Sequence, residues 1–264
     1  MNDALSAKIE EWSKPPFDEE TRAQLNLLKQ NPEQLDDAFY KDLEFGTGGM
    51  RGIMGIGTNR INAYTLGKST QGLCDYLKSA FSKISIKVVI AYDCRNNSKS
   101  LAVKVAEIFS ANNVKVFIFS DLRTTPELSF AVKHLDAHCG IVLTASHNPP
   151  EYNGYKVYWK DGGQIVPPQD NEIIEQINNT RFSDIQFNAK RELIEWIDQK
   201  VDQAFFEKSV QLGQFEQNGR ENFKIVFTPL HGTSITAVPQ VLAKAGYTDV
   251  HLVEAQSSPN GNFP

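Results

Sequence analysis

Positive charge is in short supply: 27 lysines and arginines against 32 aspartates and glutamates leave a net charge of −5. Proteins that bind nucleic acid or an anionic membrane carry a basic footprint, so neither is expected as a partner. Cysteine is scarcer still. Cys74, Cys94 and Cys139 form no C-x-x-C pair, and three thiols cannot all pair with one another, which argues for reduced thiols in a cytoplasm. Long apolar runs are also missing. The longest, Val88 to Ala91 and Val116 to Phe119, are strand-sized, far short of the roughly 20 residues that span a bilayer. The opening MNDALSAKIEEWSKPPFDEE reads as neither signal peptide nor anchor. With 17 glycines and 12 prolines in 264 residues, 41% of them hydrophobic, the chain is globular, soluble and long enough for about two domains.

What is present alternates. The first forty residues read as helices, with Asn31, Pro32 and Gln34 in the order of an N-cap, first-turn proline and capping-box residue. GTGGMRGIMGIG (Gly46 to Gly57) then packs six glycines into twelve positions, a density expected of irregular backbone. Helices are predicted over Thr65 to Phe81, Ser100 to Ala111 and Pro126 to Leu135. Strands are predicted over Ile86 to Tyr92, Val114 to Phe119 and His138 to Thr144. Near-unbroken apolar strands between helices indicate a sheet covered on both faces, hence an α/β fold: a three-layer α/β/α domain with a mostly parallel mixed sheet. Gly154 to Trp159 is expected as an antiparallel return after an Asn153-Gly154 turn, and Glu172 to Asn178 and Lys190 to Leu212 as helices. A strand, helix and strand over Lys224 to Thr228, Ala237 to Ala245 and Val250 to Val253 begin a second, similar domain. One such unit buries little apolar surface, so truncation of something longer is the expectation. The division expected is 1–42 helical extension, 43–200 first domain, and 201–264 linker helix and truncated second domain.

The strongest motif is TASHNPPEYNGYK, Thr144 to Lys156. Ser146 and His147 stand where a buried strand emerges at its C-terminal end, the place where open α/β sheets bind ligands. A serine there could be a nucleophile or a phosphoryl carrier, with an anion cradled by the backbone around Asn148. Lys156 would return over it. The bland alternative is an Asn/Pro-rich surface loop with nothing bound. The glycine loop, with Thr47, Gly48 and Arg51, lets backbone approach an anion and adds a bidentate fork for phosphate. It is not a dinucleotide fingerprint, because Arg51 stands where the third glycine is needed, and its interleaved Met50, Ile53, Met54 and Ile56 do not suit a flexible linker. Gly67-Lys68-Ser69 imitates a Walker A tail, but Asn62 occupies the first glycine position, so an NTPase is rejected. Asp93 and Arg95 read as a structural ion pair, with phosphate contact by Arg95 the alternative. Arg123-Thr124-Thr125-Pro126 reads as helix capping, and His231-Gly232-Thr233 as a contributor to a shared site. His134, His138 and His251 lack ligand spacing.

Together these segments resemble the α-D-phosphohexomutases, the phosphoglucomutase/phosphomannomutase family, over about Leu43 to Pro264. The likeness is carried by TASHNP with NGYK (Asn153 to Lys156), FGTGGMR (Phe45 to Arg51), YDCR (Tyr92 to Arg95) and TPLHG (Thr228 to Gly232). EFGTGGMRG and the helical extension are most similar to the branch of bacterial phosphoglucomutases and eukaryotic phosphopentomutase-like enzymes. The resemblance implies that Ser146 carries a phosphoryl group, gives it to a phosphosugar and recovers it from a bisphosphorylated intermediate. A sugar 1,6-bisphosphate would serve as activator. It further implies Mg²⁺ on one phosphate oxygen of Ser146, Lys156 as general acid/base, Arg51 stabilising the transferring group and His147 orienting it. Thr47, Gly48, Arg51, Asn148 and Lys156 would bind substrate phosphate. The family completes its metal site with an Asp-x-Asp-x-Asp-Arg loop, and no Asp-x-Asp occurs in this sequence. The 264 residues alone are therefore expected to have no useful mutase activity, the C-terminal domains being missing partners. Phosphomannomutase, phosphopentomutase and a non-catalytic phosphosugar-binding short paralogue stand as alternatives to phosphoglucomutase.

Overall fold

Three short helices open this computed structural model, which describes residues 3–82, 84–213 and 219–264. They are α1 (Asp3–Glu11), α2 (Glu19–Leu28) and α3 (Pro32–Phe39). The predicted cap of α3 is present: Asn31 Oδ1 accepts from the Gln34 N–H at 3.2 Å, and Pro32 sits in the first turn, where a missing N–H costs nothing. Trp12 is wholly buried, stacked on Phe17 at 4.4 Å and edge-on to Phe39 and Phe182. The Tyr64 hydroxyl accepts from the Asp18 N–H at 2.6 Å. These contacts seat the helices against the α/β unit, whose Tyr64, Ile108 and Phe182 share their core.

That unit runs β1 (Gly49–Ile53), α4 (Ala63–Ala80), β2 (Lys87–Tyr92), α5 (Ser98–Ala111), β3 (Lys115–Phe119), α6 (Thr125–His134), β4 (Cys139–Leu143), β5 (Tyr152–Trp159), α7 (Gln169–Asn179), β6 (Ile194–Ile197) and α8 (Gln199–Leu212). The sheet order is β1-β5-β4-β2-β3-β6. β4, β2, β3 and β6 are parallel, while β5 and β1 add in antiparallel register. Side chains alternate across a strand, and β2 puts Val88, Ile90 and Tyr92 into one core and Val89 and Ala91 into the other. Helices α4, α5 and α7 cover the first face, and α6 and α8 the second. The three-layer α/β/α fold with a mostly parallel mixed sheet is as expected.

Three local expectations fail. The glycine segment is not irregular throughout, since Gly49 to Ile53 forms β1. Here glycine enables pairing instead of preventing it: a Cβ on Gly49 would stand 1.9 Å from the Tyr155 carbonyl oxygen of β5. Asn153 and Gly154, expected in a turn, lie inside β5. Lys190 to Leu212 is not one helix. Ile194 to Ile197 completes the open edge of β3, with Val116 opposite Ile194, and Asp198 then starts α8 by accepting from the Gln199 N–H. The backbone groups of β3 needed a partner, a demand that local periodicity does not register.

Beyond α8 come β7 (Lys224–Phe227), α9 (Val238–Lys244) and β8 (Asp249–Leu252), with β7 and β8 parallel, the strand-helix-strand start of a second domain. Pro239 falls in the first turn of α9, as expected. Among the described residues no helix is long and apolar enough to cross a membrane.

Candidate active site

β4 ends at Leu143, at the C-terminal rim of the parallel strands, and the chain turns at once into the serine loop. Ser146 is exposed and has a φ of +58°, a left-handed conformation that a non-glycine residue holds only when its surroundings enforce it. Two contacts do so. The Ser146 N–H donates to Thr144 Oγ1 at 3.0 Å, and its carbonyl accepts from Arg95 Nη2 at 2.9 Å. Ser146 Oγ is thereby presented to solvent, 3.4 Å from His147 Nδ1.

Arg95 does more than pair with Asp93. Nη2 also donates to the Asn148 carbonyl at 2.6 Å, and Nη1 to the carbonyls of Pro149 and Tyr152 at 2.8 and 3.0 Å. With four carbonyls on its fork and its side chain 1% exposed, it clamps the loop from beneath. That decides between the two readings of Arg95 for the structural one. Asp93 fixes the clamp, accepting from the Arg95 N–H at 2.9 Å and the Ser98 hydroxyl at 2.7 Å, with Oδ2 3.4 Å from Arg95 Nε.

On the other side of Thr144 lies a cavity of about 330 Å³ lined by Thr47, Gly48, Arg51, Lys156 and Gln164 among others. Register builds it: Lys156 of β5 stands between Gly49 of β1 and Val142 of β4. Its lining contains two cations and, among the described residues, no carboxylate, a charge balance that suits an anion. Burial, and then the neighbouring Arg51, pull the Lys156 ammonium below its usual pKa. Arg51 Nη1 donates to Asn148 Oδ1 at 2.7 Å, so the cationic strand touches the serine loop directly. The Thr47 hydroxyl is engaged with Asp170 Oδ2 at 2.9 Å, and the Gly48 carbonyl accepts from Gln164 Nε2 at 3.1 Å.

Ser146 and His147 line a second cavity, of about 320 Å³, with Asp93, Arg123, Gly232 and Thr233. Thr144 lines both cavities. Arg51, Thr47, Gly48 and Lys156 thus share one chamber and Ser146 and His147 the adjoining one, with Asn148 tied to the first by Arg51. Lys156 returns beside the strand leading to Ser146, where the sequence had it returning over the serine itself. Thr124 caps α6 as predicted, and Gly232 and Thr233 reach the serine chamber from the second domain. Sequence reasoning gave no role to Thr144, Gln164 or Asp170. Thr144 lay inside the quoted motif, but only the fold reveals its contact with the Ser146 N–H.

The Mg²⁺ implied by the resemblance finds an incomplete donor set. Among the described residues no group of three His, Cys, Asp or Glu side chains could hold a metal ion. Asp93, the carboxylate sharing a chamber with Ser146, is occupied by Arg95 and Ser98. A phosphorylated Ser146 would offer one oxygen to an ion that prefers six ligands, so these residues do not by themselves fit the metal.

The comparisons agree with this architecture. The models for phosphoglucomutase/phosphomannomutase alpha/beta/alpha domain I and domain II match residues 42–184 and 203–264. A phosphoglucomutase of Staphylococcus saprophyticus is 35% identical over 242 residues, covering 89% of this chain and 43% of its own length. One of Staphylococcus aureus (strain USA300) is 36% identical over 251 residues, covering 92% and 45%. This chain therefore spans less than half the length of these curated relatives. A solved Burkholderia thailandensis structure of the phosphoglucomutase/phosphomannomutase family superposes with a TM-score of 0.62 at 22% identity, over 83% of this chain and 44% of that one. With its serine loop, its glycine strand and more than half its length matched by the domain I model, the chain belongs to the phosphoglucomutase/phosphomannomutase family.

Proposed function

We propose that these residues are the N-terminal portion of a phosphohexomutase, a phosphoglucomutase by the names of its relatives, that interconverts 1- and 6-phosphosugars through a phosphoserine at Ser146. The observation that carries this reading is a carboxylate-free chamber holding Arg51 and Lys156 beside an exposed serine in strained backbone. In the forward step the Ser146 Oγ–P bond breaks as a P–O bond forms to the sugar hydroxyl; the hydroxyl proton passes to Lys156, and the departing Ser146 Oγ, exposed as it is, takes up a proton from solvent. In the second step the P–O bond to the sugar's other phosphate breaks as that phosphoryl group bonds to Ser146 Oγ, whose proton returns to solvent while Lys156 gives its proton to the released sugar oxygen. The direction of the Lys156 shift, down from the ordinary lysine value through burial and then Arg51, favours its use as a base. Phosphoryl transfer depends mainly on positioning and charge neutralisation, the work assigned to Arg51, with His147 orienting the group. Thr47, Gly48 and Asn148 complete the phosphate contacts. A Mg²⁺ on phosphorylated Ser146 would need carboxylates from outside these 264 residues, as would full sugar recognition. Residues 43–200 would act as the phosphoserine domain, 201–264 as the linker helix and opening of the second, and 1–42 as a helical extension. The setting proposed is cytoplasmic, consistent with three free cysteines.

Intact-mass spectrometry tests this. Exposure to glucose 1,6-bisphosphate should add one phosphoryl group to the chain and none to Ser146→Ala, while glucose 1-phosphate isomerisation stays at background. Labelling that persists in the alanine variant would sink the serine assignment; turnover by these residues alone would sink the incomplete-site reading.

A further inference from the structure

The Arg95 clamp has a lid, and the lid comes from the second domain. Arg95 spends the edge of its guanidinium on four carbonyls, which leaves its flat face open. The Phe263 ring covers that face at 5.2 Å, a cation–π arrangement strengthened by exclusion of water. Phe263 also lines the Ser146 chamber.

The ring is delivered there by a specific anchorage. Gly261 lies so close to the loop after β2 that a Cβ would meet the Asn96 nitrogen at 2.5 Å and the Cys94 carbonyl oxygen at 2.9 Å. Asn96 Nδ2 donates to Asn262 Oδ1 at 2.8 Å. Behind them the Asn260 N–H donates to the His231 carbonyl at 3.0 Å, and His231 Nδ1 stands 3.0 Å from the Ser258 carbonyl oxygen. Phe263 itself has a φ of +48°, a left-handed conformation, in a turn where its N–H donates to the Asn260 carbonyl at 3.2 Å.

We propose that Phe263 is a positioning residue: through Arg95 it fixes the backbone of the Ser146 loop, so docking of the second domain sets the shape of the first domain's phosphoryl-carrying loop. The functional consequence rests on the reading of Ser146 given above; the mechanical coupling does not. It also assigns a purpose to the His231 turn, which holds the segment carrying the ring.

The test uses the full chain with Phe263→Leu, which keeps apolar bulk but removes the π face, and Phe263→Tyr, which restores it. Arginine side-chain NMR and amide hydrogen exchange supply the readout. In Phe263→Leu the Arg95 Nε–H resonance should shift, and exchange at residues 146–148 should quicken by about tenfold. Amides of β2 and β4 should be unmoved, and Phe263→Tyr should return both signals to their starting values. Gly261→Ala, which displaces the anchor, should reproduce the leucine phenotype. Unchanged loop exchange in Phe263→Leu would overturn the proposal, as would a rise shared equally with β2 and β4. Failure of Ser146 to accept phosphate in the unaltered chain would overturn the functional reading and leave the coupling standing.

Discussion

Arg51 reaches from β1 to the serine loop and donates to Asn148 Oδ1 at 2.7 Å, joining two segments 97 positions apart. Both side chains are substantially solvated, so the bond itself adds little stability. Its value lies in aiming a guanidinium into the chamber that holds Lys156. Arg51→Ala is expected to weaken glucose 1-phosphate binding by roughly 10- to 100-fold, the usual loss for a charge-assisted contact, while the thermal midpoint moves by no more than a few degrees. Titration calorimetry with parallel melting curves would check it. Unaltered affinity would remove Arg51 from the site.

Lys156 gives a pH signature with a definite sign. Its folded pKa lies below the ordinary 10.5, from burial first and Arg51 second, so the fold disfavours the ammonium form that the unfolded chain retains. The penalty is complete below the lowered pKa, shrinks as pH rises through it, and vanishes above the ordinary one. Lys156→Met should therefore melt higher than the parent at pH 7, with the gap closing toward pH 11. A gap independent of pH would mean that the ammonium is not the source of the penalty.

Gly154 links the two chambers through backbone alone. Squeezed between the carbonyl oxygens of Thr144 and Met50, it leaves only 2.6 and 2.8 Å for a Cβ. Gly154→Ala must push β1 and the end of β4 apart, at an expected cost of roughly 2 kcal/mol or more. Denaturant unfolding measures that cost directly. The same spreading should loosen the serine loop, whose Thr144 N–H donates to the Gly154 carbonyl at 3.1 Å. A loss under half a kcal/mol would show that the strands have slack.

How much of this was readable in advance follows from where each element finds its partners. β2, β3 and β4 are buried on both faces, so their apolar runs announce them to within a residue or two. β1 and β6 are short edge strands whose existence depends on β5 and β3, far away in sequence, and neither left a local period to read. The cap at Asn31 was legible because capping is a three-residue affair. The Arg95 clamp was not: its carbonyl acceptors lie 51 to 57 positions away, and a carbonyl has no sequence signature. The serine loop stood out through its residue types and its resemblance, whereas the division of its neighbours into two chambers came only with the strand register.

Glu127 offers the sharpest thermodynamic test. It lies in the first turn of α6, fully buried, with neither carboxyl oxygen hydrogen-bonded, while the nearby Arg123 commits its fork to Asp202 of α8 at 2.9 and 2.8 Å. Burial, and then the adjacent Asp202, push its carboxyl up from 4.5 to about 7, against the partial relief of Arg123 at 3.9 Å. For an acid raised in this way the folded state binds the extra proton, so stability falls as pH climbs from about 4.5 through about 7. Glu127→Gln keeps the shape and removes the titration. At pH 5 it should melt close to the parent, and at pH 8 several degrees above it, the full effect being at most about 3 kcal/mol at 1.36 kcal/mol per pKa unit. Because Asp202 stands on the helix leading to the second domain, the parent's loss at alkaline pH should register first as faster amide exchange where α6 meets α8. Parallel melting profiles for the two proteins from pH 5 to 8 would mean that Glu127 is already ionised in the fold, with Arg123 shared between both carboxylates.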